Sequence, residues 1–185
     1  MRLARYVSSF VSDWRAALAR GIPSEGEPLP YWAVGAFTPS EKDKGQLSLF
    51  AIDENVSPQG IAAALAFNRQ KVDAHLFVTA QAEELEALQL KLSKSPGDTD
   101  HPIVNDRHYV LELHSLDQIR DAARSFLNGG MEFVDIKEIN SQLRSDARGD
   151  AIDWLNLATS AHENAWKKAM SFIRDKTAEV RGIAA

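Results

Sequence analysis

The residues best suited to chemistry stand close together in HYVLELH, residues 108–114. Side chains alternate across a strand, so His108, Glu112 and His114 share one face while Tyr109, Leu111 and Leu113 take the other. By strand rise Glu112 and His114 are roughly 6.5 Å apart on that face, close enough to bracket a ligand. These three are the candidate catalytic residues. His75 stands in a second apolar stretch, residues 72–79, on the face shared by Phe77 and Thr79. Were the two strands neighbours, His75, Glu112 and His114 would form a His/Glu/His set suited to zinc or iron. The same letters also spell an ordinary half-buried strand, with apolar residues inward and polar ones outward.

Two loops offer other chemistry. Residues 93–107 (SKSPGDTDHPIVNDR) are the longest irregular stretch and carry Asp98, Asp100 and His101. Alternating acids in a Gly-containing loop can hold calcium or magnesium through oxygen, although the spacing is not that of an EF-hand. Ser57, Gln59 and Gly60 enter a helix whose backbone N–H groups could receive the phosphates of a cofactor. Asp135-Ile136-Lys137 has the acid-spacer-lysine order used by some metal-dependent nucleases, but no second acid is identifiable by spacing.

The elements that must position these groups centre on residues 46–80. Residues 46–53 are a nearly unbroken apolar run (Leu47, Leu49, Phe50, Ala51, Ile52), as in a strand covered on both faces. Ser57-Pro58 is an N-cap followed by proline at the first helical position, where the missing N–H costs nothing. Ile61, Ala62, Leu65 and Ala66 then recur at helical spacing, and residues 72–79 return to strand. Upstream, Leu3, Val7, Phe10, Trp14 and Ala17 recur at steps of four and three, predicting an amphipathic helix over residues 2–20. Its four arginines are also compatible with a transit peptide, but the apolar stripe favours an ordinary first helix.

Residues 31–38 (YWAVGAFT) read as a strand pairing with residues 46–53 in a β-hairpin. Downstream, the pattern predicts helices over residues 80–92, from the Ser115-Gln118 capping box to Gly129-Gly130, and over residues 137–148, with strands at 108–113 and 131–135. The expected fold is α/β or α+β: a single mixed sheet of about five strands flanked by helices. The expected organisation is a core domain over residues 1–149 with an N-terminal amphipathic helix, and a helical extension over 150–185 packed on it. That extension carries Trp154 and Trp166, aromatic anchors of the kind found at protein interfaces.

A net charge of -5 and a pI near 5.5 disfavour a nucleic-acid surface. No run of about 18 apolar residues is present to span a membrane. The absence of cysteine removes disulfides, thiolate metal sites and cysteine nucleophiles, and fits a reducing cytoplasm. Neither a dinucleotide fingerprint, a P-loop nor a Gly-x-Ser-x-Gly elbow occurs.

The order hairpin, helix, strand, helix, strand is similar to that of GNAT-type acetyltransferases. That resemblance implies an acyl-CoA site at the start of the helix, near Ser57, Gln59 and Gly60. Residues 55–60 (NVSPQG) lack the Gln/Arg-x-x-Gly-x-Gly/Ala loop of that family.

The reading that demands no missing motif is a small acidic protein-binding module of the inhibitor, immunity or adaptor type. It would mask another protein, with a basic partner favoured by charge and a homo-oligomer left open. The alternatives are a GNAT-like acyl-CoA transferase and a His/Glu metal-dependent hydrolase.

Overall fold

Residues 49–52 are apolar without a break because that part of their strand is covered on both faces, whereas Gln46, Ser48 and Asp53 are exposed. A computed structural model describes residues 1–7, 12–14, 16, 23, 27–41, 44–69, 74–96 and 105–148. Its elements in chain order are β1 (Arg2–Val7), α1 (Tyr31–Ala36), β2 (Gln46–Ile52), α2 (Pro58–Arg69), β3 (His75–Gln81), α3 (Ala82–Ala87), β4 (Lys91–Lys94), β5 (His108–Glu112), α4 (Leu116–Gly129), β6 (Met131–Val134) and α5 (Ile136–Arg148). The strands make one six-stranded sheet in the order β4-β5-β2-β1-β3-β6. Every neighbouring pair is antiparallel, and the chain is a mixed α+β fold.

Alternation along the strands feeds two cores. Leu3, Leu49, Leu76 and Leu111 pack on one side with residues of α1, α3 and α4, including Phe126. Ala4, Phe50, Phe77 and Val134 pack on the other with Ile61 of α2 and Ile139 of α5. An antiparallel sheet with helices on both faces has no solvated side to spend on polar letters, so its central strands lose the clean alternation of a half-exposed sheet.

Four expectations need correction. The N-terminal helix expected from residue 2 is replaced there by β1, which pairs with both β2 and β3 in the middle of the sheet. Over six residues the helical step and the strand alternation select overlapping sets. Leu3 and Val7 do share a face, but Ala4 and Tyr6 serve the opposite core. Helical backbone is found at residues 12–14 and 16, where Trp14 is fully buried.

The hairpin is also absent. Residues 31–36 form α1, a short helix whose first turn closes on the Pro30 carbonyl through Ala33 N–H at 3.0 Å and Val34 N–H at 3.2 Å. Ala33, Ala36 and Phe37 are buried at i, i+3 and i+4, so packing against the sheet outweighs the strand preference of Tyr31 and Trp32.

The helix expected over residues 80–92 stops early. Gln89 turns left-handed (φ 57°), its N–H reaches Glu86 O at 2.9 Å, and Leu90 N–H reaches Leu85 O at 3.0 Å. That is a Schellman ending, reinforced by burial of Leu85 and Leu90, and it releases residues 91–94 as edge strand β4.

The sheet is antiparallel rather than mixed for one reason. β2 and β3, joined through α2, do run parallel, but β1 lies between them and opposes both. Residues 150–185, with Trp154 and Trp166, lie outside the described residues, and so does the expected boundary at 149/150.

Candidate functional site

Strand alternation does place His108 and Glu112 on one face of β5, and His114 follows just beyond the strand. Glu112 and His114 meet, with Nε2 3.5 Å from Oε2. Lys91 of β4, opposite Glu112 in the ladder, lies 2.8 Å from Oε1 and donates to Oε2 at 3.0 Å. Its hydrogen bond, with a smaller contribution from His114, holds the Glu112 carboxyl below the usual carboxylate range. The carboxylate side chain is 18% exposed, so it is engaged within the sheet before any ligand arrives. His114 itself packs over Gly45: a Cβ there would meet its Nδ1 at 3.1 Å, which with φ +80° explains the glycine.

His108 stands four residues away, about 13 Å along the strand. Its Nδ1 lies 2.6 Å from Ser95 O and its ring edge rests on Phe50 at 5.6 Å. His75 belongs to the interior, 1% exposed, with its ring 4.6 Å from Tyr6 and stacked on Phe77. β2 and β1 separate β3 from β5, which puts His75 about 14 Å from Glu112 by strand spacing. Among the described residues, no three His, Asp or Glu side chains come together to hold a metal ion. Asp98, Asp100 and His101 lie outside the described residues.

The helix start proposed for a cofactor is occupied by its own capping. Ser57 Oγ accepts from Gly60 N–H at 3.2 Å, and Gln59 Nε2 donates to Glu132 Oε1 at 3.0 Å. With the hairpin gone, the strand order on which the acetyltransferase likeness rested is no longer present. Asp135 is likewise an N-cap: its Oδ1 accepts from Glu138 N–H at 2.8 Å, and Glu138 Oε2 accepts from Asp135 N–H at 2.7 Å. This reciprocal capping box uses the acid that the nuclease-like triplet would have offered to a metal.

A different feature was not foreseen. Between α1 and α4 runs an open groove of about 550 Å³. Its apolar parts come from Leu29, Val34, Leu116 and the ring of Tyr31, and Arg120 and Arg124 of α4 line it as well. Tyr31 is 72% exposed and Leu116 53%, both large apolar surfaces turned to solvent. The groove is held from below. The Phe37 and Phe126 rings meet at 5.0 Å, tilted by 36°, and Arg5 of β1 donates to the Ala36 carbonyl through Nε at 3.1 Å and Nη2 at 2.9 Å. Arg124 Nη2 donates to Glu27 O at 2.7 Å, fixing the entry segment against α4.

One signal in the sequence could have revealed it. The core stripe of α4 is Ile119, Ala122, Ala123, Phe126 and Leu127. Leu116, Arg120 and Arg124 fall beside it at i, i+4 and i+8, a second stripe that begins apolar and continues cationic. The chain matches no family model, no curated protein and no solved structure.

Proposed function

We propose that this chain is a non-enzymatic protein-binding module of the inhibitor, immunity or adaptor type, acting by covering a surface of another protein. The observation that carries the reading is the groove between α1 and α4 with Tyr31 and Leu116 exposed at it. Tyrosine and arginine are enriched among residues that dominate binding energy, because each offers a large rigid contact with a polar end. Tyr31, Arg120 and Arg124 in the groove are of these types, and the helices that carry them pack on the sheet, so little backbone ordering entropy is lost on docking. The groove, with ten lining residues, is smaller than a standard interface of about 20–30 residues a side. It therefore serves as the anchor of a larger contact, where the net charge of -5 steers a partner with a basic surface.

Affinity purification of the tagged full chain from its native cell, with mild cross-linking, should recover one partner in equimolar amount. That partner should be lost with Tyr31→Ala plus Leu116→Ala and weakened by salt. Repeated purifications without an equimolar partner would overturn the reading. The Glu112–His114 contact keeps a metal-dependent alternative open to a simple check on the same material: stoichiometric bound metal, lost with His114→Ala, would replace the binding-module reading.

A further inference from the structure

We infer that the α1–α4 groove receives a segment of the partner that sets an apolar side chain against Tyr31 and Leu116 and carboxylates against Arg120 and Arg124. The inference rests on the protein-binding reading and names what the groove recognises. Leu116, Arg120 and Arg124 succeed one another by a helical turn, about 6 Å per step along α4. Tyr31 comes to the same groove from α1, which adds a broad apolar surface to that of Leu116 and Val34.

The charges favour an acidic complement locally, although the chain as a whole is acidic. Arg120 is 56% exposed and its ion pair with Asp117, at 3.6 Å, is long and itself exposed. Such a pair contributes little and is exchanged for a partner's carboxylate at small cost. Arg124, half-buried, is held in the wall through its bond to Glu27 O, so Arg120 is the more accessible of the two guanidinium groups. Guanidinium–carboxylate contacts are short, forked and directional, and they strengthen as the partner excludes water. The Glu27 side chain at the groove opposes a second carboxylate near it, which confines the acids to the α4 wall.

The spacing gives the segment a pattern. Carboxylates about 6–7 Å apart occur at i and i+2 of an extended peptide, or at i and i+4 of a helix. The apolar anchor then lies one such step further, at the Leu116 end. A nucleic acid meets the arginines equally well, but its regular backbone charge has no use for the apolar part of the groove.

The experiment is selection of displayed random 12-residue peptides on the immobilised full chain, followed by fluorescence anisotropy of an enriched peptide. Enriched peptides should combine an aromatic or aliphatic residue with two acids at one of those spacings. Arg120→Glu should weaken their binding about tenfold or more, and Arg124→Glu similarly. Arg120→Glu is the decisive variant should Arg124→Glu loosen the Glu27 segment, since the Arg120 side chain is largely in solvent. Selection repeated on Arg120→Glu should shift the enriched residues from acidic to basic. Peptides without acids, binding indifferent to Arg120→Glu, no enrichment at all, or displacement of the peptide by oligouridylate would each overturn the assignment. Co-purification of an equimolar partner that survives Arg120→Glu would remove this groove pattern while leaving the binding-module reading standing. Loss of the partner from the unaltered chain would remove both.

Discussion

Arg5 lies between the sheet and α1 and joins the two. Its guanidinium forks onto the Ala36 carbonyl, donates through Nη1 to Ser48 O at 3.2 Å, and sits 5.5 Å from the centre of the Phe37 ring. Hydrogen bonds from a charged donor contribute about 1.5–3 kcal/mol when their loss strands a shielded acceptor. Arg5→Ala should therefore lower the unfolding free energy by about 2–3 kcal/mol in a urea titration. Arg5→Lys should recover only part, because one ammonium cannot span both carbonyls in the plane that the guanidinium fork does. A loss below about 0.5 kcal/mol would show that packing alone holds α1. Ser57, Asp135 and Glu112 tell a related story at this scale. Each is a residue type with chemical promise, and each is bound into the fold: two as helix caps, one in a ladder ion pair with Lys91.

Helix endings decide how the elements meet. Leu116–Gly129 begins at the Ser115 cap, whose Oγ accepts from Gln118 N–H at 3.2 Å, and runs into Gly129-Gly130, as the sequence predicts. The reason for glycine at 129 is steric rather than merely conformational. A Cβ there would lie 1.9 Å from the Thr79 carbonyl oxygen, where β6 begins its pairing with β3. Thr79 adds to the junction by donating its hydroxyl to Gly129 O at 2.7 Å. Gly129→Ala must push α4 and β6 away from β3 and should cost about 3 kcal/mol, read from the shift in denaturation midpoint at unchanged slope. A midpoint within error of the unaltered protein would refute the close approach. The early end of α3 at Gln89 belongs here too. A glutamine accepts the left-handed turn because Leu85 and Leu90 gain burial on both sides of it. Helix-forming letters continuing through Leu92 concealed that turn.

For the whole molecule, two carboxylates tie distant segments together. Backbone N–H from Asn55, then the Arg107 side chain, hold Asp53 below the ordinary range, and Lys91 does so for Glu112. Folded-state values below the unfolded ones mean that the unfolded chain binds protons more tightly. The stabilisation is complete above the ordinary carboxylate range and is lost as pH falls through it toward the lowered folded values. Urea midpoints should stay level from neutrality to about pH 5 and decline by about pH 3. Asp53→Asn with Glu112→Gln should flatten that decline; an unchanged acid limb would mean that other groups govern it. Composition and local pattern by themselves determined the strands at β2, β3, β5 and β6, the helices α2, α4 and α5, and the caps at Ser57 and Ser115, because each rests on neighbours within a few residues. Residues 2–7 are different. Their letters serve a helix or a strand equally until β2 and β3 arrive on either side. Residues 31–36 turn helical only because a sheet offers Ala33, Ala36 and Phe37 a surface to pack on. The polar face of β5 was legible, but the distance of His75 from it depends on strand order, which a local pattern does not encode. The groove exists only once β1, through Arg5, has fixed α1 beside α4: a long-range contact across 31 residues of chain, set by packing rather than by sequence period.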